Sequence, residues 1–292
     1  MMVIMFGPWH LSKSLIKHSL TSHYFETDLV NLHYYKYGNG KQSMLCFHGF
    51  GMHGKQFRIL EDDLGGKYTF YGFDLFFHKE TKLKNNSIAN VKAGLSKKHL
   101  ADLIAAFCTH ENIDRFSVIG YSMGTHFATS LVEEMGGRID EYIAIAPTAI
   151  EPGNMVRFVS KNKIGNRLFN KVLTSEKAII NLIDAAKFMG VMDATGRDIL
   201  YKEICTDELR FNMYATFTYL RFLETDEARF IKSLEDNHIK AFFIFGKRDK
   251  MFPLSIAKDF LPKLNNPNVT VLDEGHEMIN PKIVPILAGL LL

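Results

Sequence analysis

A glycine-flanked serine at Gly120–Gly124 directly follows a short apolar run and opens a segment with helical spacing of apolar residues. The run is Phe116–Ile119, and the helical pattern continues to Met135, before a pair of glycines. A strand that turns at once into a helix at G-x-S-x-G is a nucleophile elbow, in which the sharp turn lifts the serine hydroxyl clear of the sheet. The alternative is a serine in an ordinary loop between a strand and a helix. The pattern therefore makes Ser122 the candidate nucleophile.

Several other short apolar runs lack the strict alternation of a strand with one solvated face: Met44–Phe47, Tyr142–Ala146 and Ala241–Phe245. Strands buried on both faces have this composition, as in a parallel sheet covered by helices. Helical spacing between the runs, for example over 100–107, predicts an α/β fold with a doubly wound, mostly parallel sheet. Tyr68–Asp74 is a further predicted strand. His23–Tyr37 alternates more strongly and predicts an antiparallel hairpin at the sheet edge.

The bulk composition is that of a globular protein with a sizeable core. The chain has 292 residues, of which 47% are hydrophobic and 23% charged, and its formal net charge is +3. So small a charge gives no reason to expect nucleic acid as a partner. No apolar stretch approaches the roughly 20 residues of a membrane helix. Met1–Phe6 is too short for a signal sequence, so a cytoplasmic location is expected, while residues 1–21 predict either a helical extension or partial disorder.

Three cysteines, Cys46, Cys108 and Cys205, are widely spaced and odd in number. We expect reduced thiols in the core rather than a disulfide or a metal site. Residues 148–237 break the strand–helix alternation, since they are rich in helical spacing, aromatic residues and methionine and contain no convincing strand. They predict a helical cap insertion into a core formed by residues 1–147 and 238–292. Most of its aromatic residues should pack within the protein, and a subset facing the serine should line an apolar pocket.

A base and an acid for Ser122 are predicted at the same edge of the sheet. His276 follows the strand-like segment Val269–Leu272, and Asp249 follows the predicted strand that ends at Phe245. Catalytic side chains collect in loops at the carboxyl ends of parallel strands, and a serine needs a histidine held by a carboxylate to become a good nucleophile. Asp273 and Glu274 are rival acids, but side chains so near to His276 in sequence are badly placed to orient its ring.

Two backbone N–H groups are candidates for the site that stabilises a developing oxyanion. One belongs to Met123, at the start of the predicted helix. The other belongs to Phe50, in the loop His48–Gly51, whose glycines Gly49 and Gly51 let the backbone approach a substrate closely. His48 is expected to support this loop through hydrogen bonds, with a role as base as the alternative.

With these residues the chain resembles cap-bearing members of the α/β-hydrolase fold superfamily. The resemblance extends from about Tyr24 to the C-terminus and is carried by five motifs: His48–Gly51, Asp74, Gly120–Gly124, Phe245–Asp249 and Gly275-His276. Many relatives have a glycine-rich loop containing serine after the aspartate, whereas here the loop reads Leu75-Phe76-Phe77-His78. Asp74 is expected to anchor this loop and not to take part in catalysis.

The resemblance implies acyl transfer to Ser122, with His276 as general base and acid, Asp249 as its orienting carboxylate, and no metal or organic cofactor. A serine at this position excludes the branches of the superfamily that use an aspartate nucleophile on epoxides and haloalkanes. The leading hypothesis is a carboxylesterase-like hydrolase for a small or medium apolar acyl substrate. Carbon–carbon, thioester or amide hydrolysis and perhydrolysis by the same triad remain alternatives. A ligand-binding protein on a hydrolase scaffold is a further one, and the oligomeric state stays open.

A basic stretch within the insertion contains no acidic residue and consists of Arg157, Lys161, Lys163, Arg167 and Lys171, with apolar residues among them. A basic amphipathic segment can lie on an anionic membrane surface. The favoured interpretation is the solvated outer face of a cap helix, and attraction of an anionic substrate group is a third.

Overall fold

The computed structural model describes residues 20–188, 197–198 and 201–292. Within these residues, nine strands form one sheet in the order β1-β2-β4-β3-β6-β7-β8-β9, with β5 paired to the side of β2. The strands are β1 (Thr21–Glu26), β2 (Val30–Gly38), β3 (Gln42–Phe47), β4 (Tyr68–Phe73), β5 (Lys82–Leu83), β6 (Phe116–Tyr121), β7 (Ile139–Ile145), β8 (Lys240–Gly246) and β9 (Asn268–Leu272). Strands β4, β3, β6, β7, β8 and β9 are mutually parallel, and β1 and β2 form an antiparallel hairpin at one edge. The predicted fold class and the edge hairpin are thus confirmed.

Ten α-helices lie wholly within the described residues. They are α1 (Glu61–Leu64), α2 (Ile88–Ala93), α3 (Lys97–His110), α4 (Gly124–Met135), α5 (Asn154–Lys161), α6 (Lys163–Leu173), α7 (Glu176–Phe188), α8 (Asp207–Tyr219), α9 (Glu227–Asp236) and α10 (Ile283–Leu291). Short 3₁₀ turns at Gly54–Leu60 and Leu220–Phe222 connect some of these elements.

The sheet has a hydrophobic core on each face, because successive strand residues point to opposite sides. Leu45 on β3 joins the core beneath α3 and α4, which contribute Phe107 and Phe127. Its neighbour Cys46 joins the opposite core, to which α10 contributes Leu287. Both faces are therefore covered, and this explains why the central strands contain apolar runs that do not alternate with polar residues.

Among the element ends that differ from the predicted ones, two do so for a reason visible in the backbone. Ser122 and Ala146 both have a φ of 48°, a left-handed conformation that neither a helix nor a strand accommodates. The helix predicted from Ser122 therefore begins at Gly124, and the strand predicted to reach Ala146 ends at Ile145. Strand β4 ends at Phe73, one residue before Asp74. The prediction for residues 1–21 lies outside the described residues, apart from Leu20 and Thr21, where β1 begins.

Between β7 and β8 the described residues contain helices α5 to α9 and no strand. The last of them, α9, packs on α4, and its Phe230 ring lies 5.2 Å from the ring of Tyr142 on β7. The division into a core and a cap at residues 148 and 237 stays a prediction. All three cysteines are free. Cys46 and Cys108 are buried as expected, but Cys205 is exposed, so the expectation of a core thiol is wrong there. No helix of the described segments is long and apolar enough to span a bilayer.

Candidate active site

Ser122 lies at the sharp turn between β6 and α4. Its φ of 48° is unfavourable for a side chain larger than glycine, and its N–H donates to the carbonyl of Ile145 at 2.8 Å. The flanking glycines allow this turn to pack. A Cβ on Gly124 would lie 1.9 Å from the carbonyl oxygen of Phe47, and one on Gly120 would lie 2.7 Å from the carbonyl oxygen of Gly124. The motif therefore folds as an elbow with a strained serine at its apex.

His276 reaches Ser122 from the loop that follows β9. Its Nε2 lies 3.0 Å from the Ser122 Oγ, and its Nδ1 lies 2.7 Å from Oδ2 of Asp249. Because a carboxylate only accepts, Nδ1 carries the proton and donates to Asp249. Nε2 is then left with a lone pair for the serine hydroxyl. The three residues form one relay from hydroxyl to imidazole to carboxylate.

Asp249 is fixed by its own loop after β8. Its Oδ1 accepts hydrogen bonds from the N–H groups of Met251 and Phe252, each at 2.9 Å, and the residue is only 2% exposed. Burial alone would raise the pKa of Asp249. The hydrogen bond and charge of His276 and the two backbone N–H groups outweigh it, so that the pKa lies below its usual value. Asp249 is therefore ionised and rigidly oriented.

Asp273 and Glu274, the alternative partners considered for His276, form ion pairs with other residues. Asp273 is largely exposed and lies 3.4 Å from Arg248, and Glu274 forms an ion pair with Lys282 at 2.5 Å. Neither is placed by its contacts to orient His276.

Tyr121, the residue before the serine, is a feature that sequence reasoning missed. Its hydroxyl donates to the backbone carbonyl of His276 at 2.7 Å, although the two residues are 155 positions apart. The rings of Tyr121 and Phe252 lie about 5.6 Å and 5.5 Å from the imidazole. The position is written x in the motif, so the only signal was the tyrosine itself at the end of a buried strand.

The loop after β3 lies beside the elbow because β3 and β6 are parallel neighbours with Phe47 opposite Gly120. In this loop the N–H of Gly49 donates to the Gln56 side chain at 3.0 Å. The N–H groups of Phe50 and Met123 donate to no acceptor in the described residues. Both residues border the same cavity as Ser122. The predicted oxyanion donors are thus brought to the serine, and their role stays a prediction.

His48 is fully buried, and both of its ring nitrogens are engaged within the loop. Nδ1 donates to the carbonyl of Gly49 at 2.7 Å, and Nε2 accepts from the N–H of Leu75 at 3.0 Å. Burial, together with the nearby His78, holds the pKa of His48 well below its usual value. His48 is therefore a neutral imidazole that supports the loop. It cannot act as a base, because its one lone pair already accepts the hydrogen bond from Leu75. Gly51 in the same loop has a φ of 75°, a conformation that glycine adopts without strain.

Asp74 holds together the segments behind this loop. It is fully buried, and it accepts hydrogen bonds from the His33 ring and the N–H of Gly54, both at 2.7 Å. The aromatic residues that follow it contact α8, since the rings of Phe76 and Phe77 each lie 5.5 Å from the ring of Tyr219. The loop Leu75–His78, whose sequence departs from the family pattern, therefore packs against helix α8 of the insertion.

A cavity of about 220 Å³ opens in front of Ser122. Its walls are mainly apolar, and the insertion contributes several of them: Pro152, Val156, Phe217 and Leu220. Charged side chains also border it. Arg157 donates to Glu224 at 2.8 Å and also pairs with Glu151, while Lys161 pairs with Glu224. The first two cations of the basic stretch thus lie at the cavity, where they are neutralised within the protein.

Comparison with known proteins shows which families and structures this chain resembles. The family model described as alpha/beta hydrolase fold matches residues 42–167. The uncharacterized hydrolase YugF of Bacillus subtilis is 23% identical over 261 residues, which cover 86% of this chain and 90% of that protein. The dihydrolipoyllysine-residue acetyltransferase component of the acetoin cleaving system of Cupriavidus necator is 26% identical over 139 residues. That match covers 46% of this chain and only 35% of the relative's length.

Two solved structures share this fold over nearly their full lengths. MGS-M2, an alpha/beta hydrolase enzyme from a deep-sea metagenome library of the Medee basin, has a TM-score of 0.66 at 14% identity. The alignment covers 92% of this chain and 95% of that one. Carboxylesterase CesB of Bacillus subtilis has a TM-score of 0.60 at 13% identity, covering 94% and 92%. The chain therefore has the α/β-hydrolase fold.

Proposed function

We propose that this protein is a serine hydrolase that cleaves a carboxylic ester of a small or medium apolar substrate through an acyl-enzyme on Ser122. The observation that carries the proposal is the relay from the Ser122 Oγ through His276 to Asp249, with distances of 3.0 Å and 2.7 Å. It opens on a cavity with mainly apolar walls. The fold shared with a carboxylesterase is compatible with it.

The first half of the reaction forms the acyl-enzyme. Oγ of Ser122 attacks the ester carbonyl carbon while Nε2 of His276 takes the hydroxyl proton. The carbonyl oxygen becomes an oxyanion that the N–H groups of Phe50 and Met123 stabilise, each by about 3 kcal/mol. Collapse of this intermediate breaks the carbon–oxygen bond, and the imidazolium protonates the departing alcohol. Asp249 stabilises the imidazolium throughout.

The second half repeats these steps with water. Nε2 of His276 takes a proton from a water molecule, whose oxygen attacks the acyl carbon. Collapse releases the carboxylic acid and returns the proton to Oγ of Ser122. The mechanism uses no metal or organic cofactor.

The same relay also fits thioester, amide or carbon–carbon hydrolysis and perhydrolysis, which differ in the leaving group and not in the nucleophile. We favour the ester because the cavity walls near Ser122, such as Phe50, Phe217 and Phe252, offer apolar contact to an acyl chain. A non-catalytic ligand-binding protein is the alternative outside catalysis. The strained φ of Ser122 counts against it, since a binding protein has no need to maintain such strain.

The test is labelling by a fluorophosphonate, read by intact mass, followed by turnover of aryl esters with increasing acyl length. We expect one label per chain on the wild type and none on Ser122→Ala. Ser255→Ala is the matched control, because Ser255 is an exposed serine in a 3₁₀ turn outside the cavity. Labelling without ester turnover would move the proposal to the other acyl chemistries. Absence of both labelling and turnover would overturn it in favour of a binding protein.

A further inference from the structure

The outer side of α5 and α6 exposes a cluster of large apolar side chains. Met155 and Ile164 are 73% and 76% exposed, and Leu168 and Phe158 are 52% and 42% exposed. Phe158 lies against Gly165, where an added Cβ would come within 2.9 Å of its ring. Phe158 of α5 therefore packs against α6, the helix that carries Ile164 and Leu168. We call these four residues, with the cations described next, the α5–α6 surface.

Three cations lie beside the apolar residues of α6. Lys163, Arg167 and Lys171 are exposed and follow each other at intervals of four, which places them in one stripe along the helix. None of them has an ion-pair partner among residues 20–188, 197–198 and 201–292. Between Glu151 and Glu176 the chain has no acidic residue at all. The surface thus combines apolar side chains with an uncompensated positive charge.

A solvated outer helix face does not explain this arrangement. Solvation accounts for the three cations, but it leaves an isoleucine and a methionine about three-quarters exposed beside them. A second copy of the chain is also disfavoured. A two-fold interface brings the same patch of both copies together, and the stripe of Lys163, Arg167 and Lys171 would then face its own charge.

We propose that the α5–α6 surface binds the surface of a bilayer that contains anionic lipids. Apolar side chains such as Ile164 and Leu168 would enter the boundary between headgroups and acyl chains, while the cations contact anionic headgroups. The opposite side of α5 borders the cavity through Val156 and Ser160. In this arrangement α5 contacts both the lipid and the cavity in front of Ser122. Such a position suits a substrate that is apolar and partitions into membranes.

The test is co-sedimentation of the full chain with vesicles of phosphatidylcholine, with or without phosphatidylserine, at low and at physiological salt. We expect binding to the anionic vesicles only, weakened by salt. Each cation near an anionic surface strengthens binding by about five-fold. The variant Lys163→Gln/Arg167→Gln/Lys171→Gln should therefore bind about 100-fold more weakly. Ile164→Ser/Leu168→Ser should also bind more weakly while keeping the charge.

The matched control is Lys41→Gln/Lys240→Gln/Lys258→Gln, which removes the same charge from exposed lysines outside the α5–α6 surface. It should bind as the wild type does, and circular dichroism should show all variants folded. Ser122→Ala should also bind normally, so the result is independent of the proposed hydrolase activity. Equal losses in the control and the α6 variant would reveal mere attraction by net charge and overturn the proposal. Failure of the wild type to bind anionic vesicles would overturn it as well and leave an acidic protein as the occupant to test.

Discussion

Replacement of Asp249 by asparagine should disable the relay without disturbing the loop. The reason is that Oδ1 of Asp249 accepts hydrogen bonds from two backbone N–H groups, which an asparagine oxygen can also accept. Asparagine has one oxygen and one NH₂ group in place of two oxygens. If its oxygen faces Met251 and Phe252, as Oδ1 does now, its NH₂ group faces Nδ1 of His276. Nδ1 must then accept, so the ring proton moves to Nε2. A protonated Nε2 cannot take the proton of Ser122.

The size of the effect follows from the cost of turning the amide over. The flipped amide would restore the productive tautomer, but it would point NH₂ at the N–H groups of Met251 and Phe252 and leave both without an acceptor. Each buried unsatisfied donor costs about 1–3 kcal/mol, so the flipped form costs about 2–6 kcal/mol. At the upper end this corresponds to roughly 10⁴-fold in rate, the magnitude known for such a substitution in serine triads.

The assay is the second-order rate constant for fluorophosphonate labelling of Ser122, which needs no knowledge of the natural substrate. We expect Asp249→Asn to lower it by about 30- to 10⁴-fold, with thermal stability close to that of the wild type. Asp273→Asn, the matched control, should leave it unchanged because Asp273 is exposed and faces Arg248. The reasoning would be refuted by a loss below ten-fold for Asp249→Asn, or by a large loss for Asp273→Asn.

Three further predictions concern pH, packing and selectivity. Burial lowers the pKa of His78 to about 4 in the folded protein, so the unfolded chain binds a proton at this histidine more readily. The free energy of unfolding should therefore fall by up to about 3 kcal/mol as the pH drops from about 6.5 towards 4. Urea unfolding across this range should show a weaker pH dependence for His78→Gln. Gly124→Ala should destabilise the fold by more than about 3 kcal/mol because its Cβ would meet a backbone oxygen at 1.9 Å, whereas Gly289→Ala, with open space around it, should be tolerated in the same thermal melt. Glu224→Gln should remove the carboxylate that pairs with Lys161 at the cavity, while Arg157 keeps its pairing with Glu151. It should raise the preference for an ester with a carboxylate on its acyl chain, relative to a neutral isostere, by about ten-fold, while Glu227→Gln, which faces Lys263, should not.

The sheet could be predicted from the sequence because its central strands are buried on both faces. Burial of that kind leaves a continuous apolar run, as in Met44–Phe47, which is visible without any knowledge of the neighbours. Strand ends are set by single dihedral angles that composition does not encode. Ala146 looks like a strand residue, and only its left-handed backbone ends β7 before it.

The candidate relay could be predicted because chain order and strand position restrict it. Residues that follow adjacent parallel strands must meet at one edge, and this applies to Asp249 and His276 after β8 and β9. Contacts across unrelated segments could not be predicted in this way. The hydrogen bond from Tyr121 to the His276 carbonyl and the pairing of Arg157 with Glu224 depend on how the chain returns to the site. No local pattern marks either pair.

Most of the residues that line the cavity come from a different stretch of chain than the groups proposed to act on the substrate. Ser122, Asp249, His276 and both proposed oxyanion donors lie outside residues 148–237, whereas Val156, Phe217 and Leu220 lie inside them. A recombination event with one crossover on each side of this segment would replace most of the pocket walls, keep Phe50 and Phe252, and leave the relay untouched. If the proposed function holds, exchange of this one continuous block would change which substrates fit and leave the proposed chemistry in place.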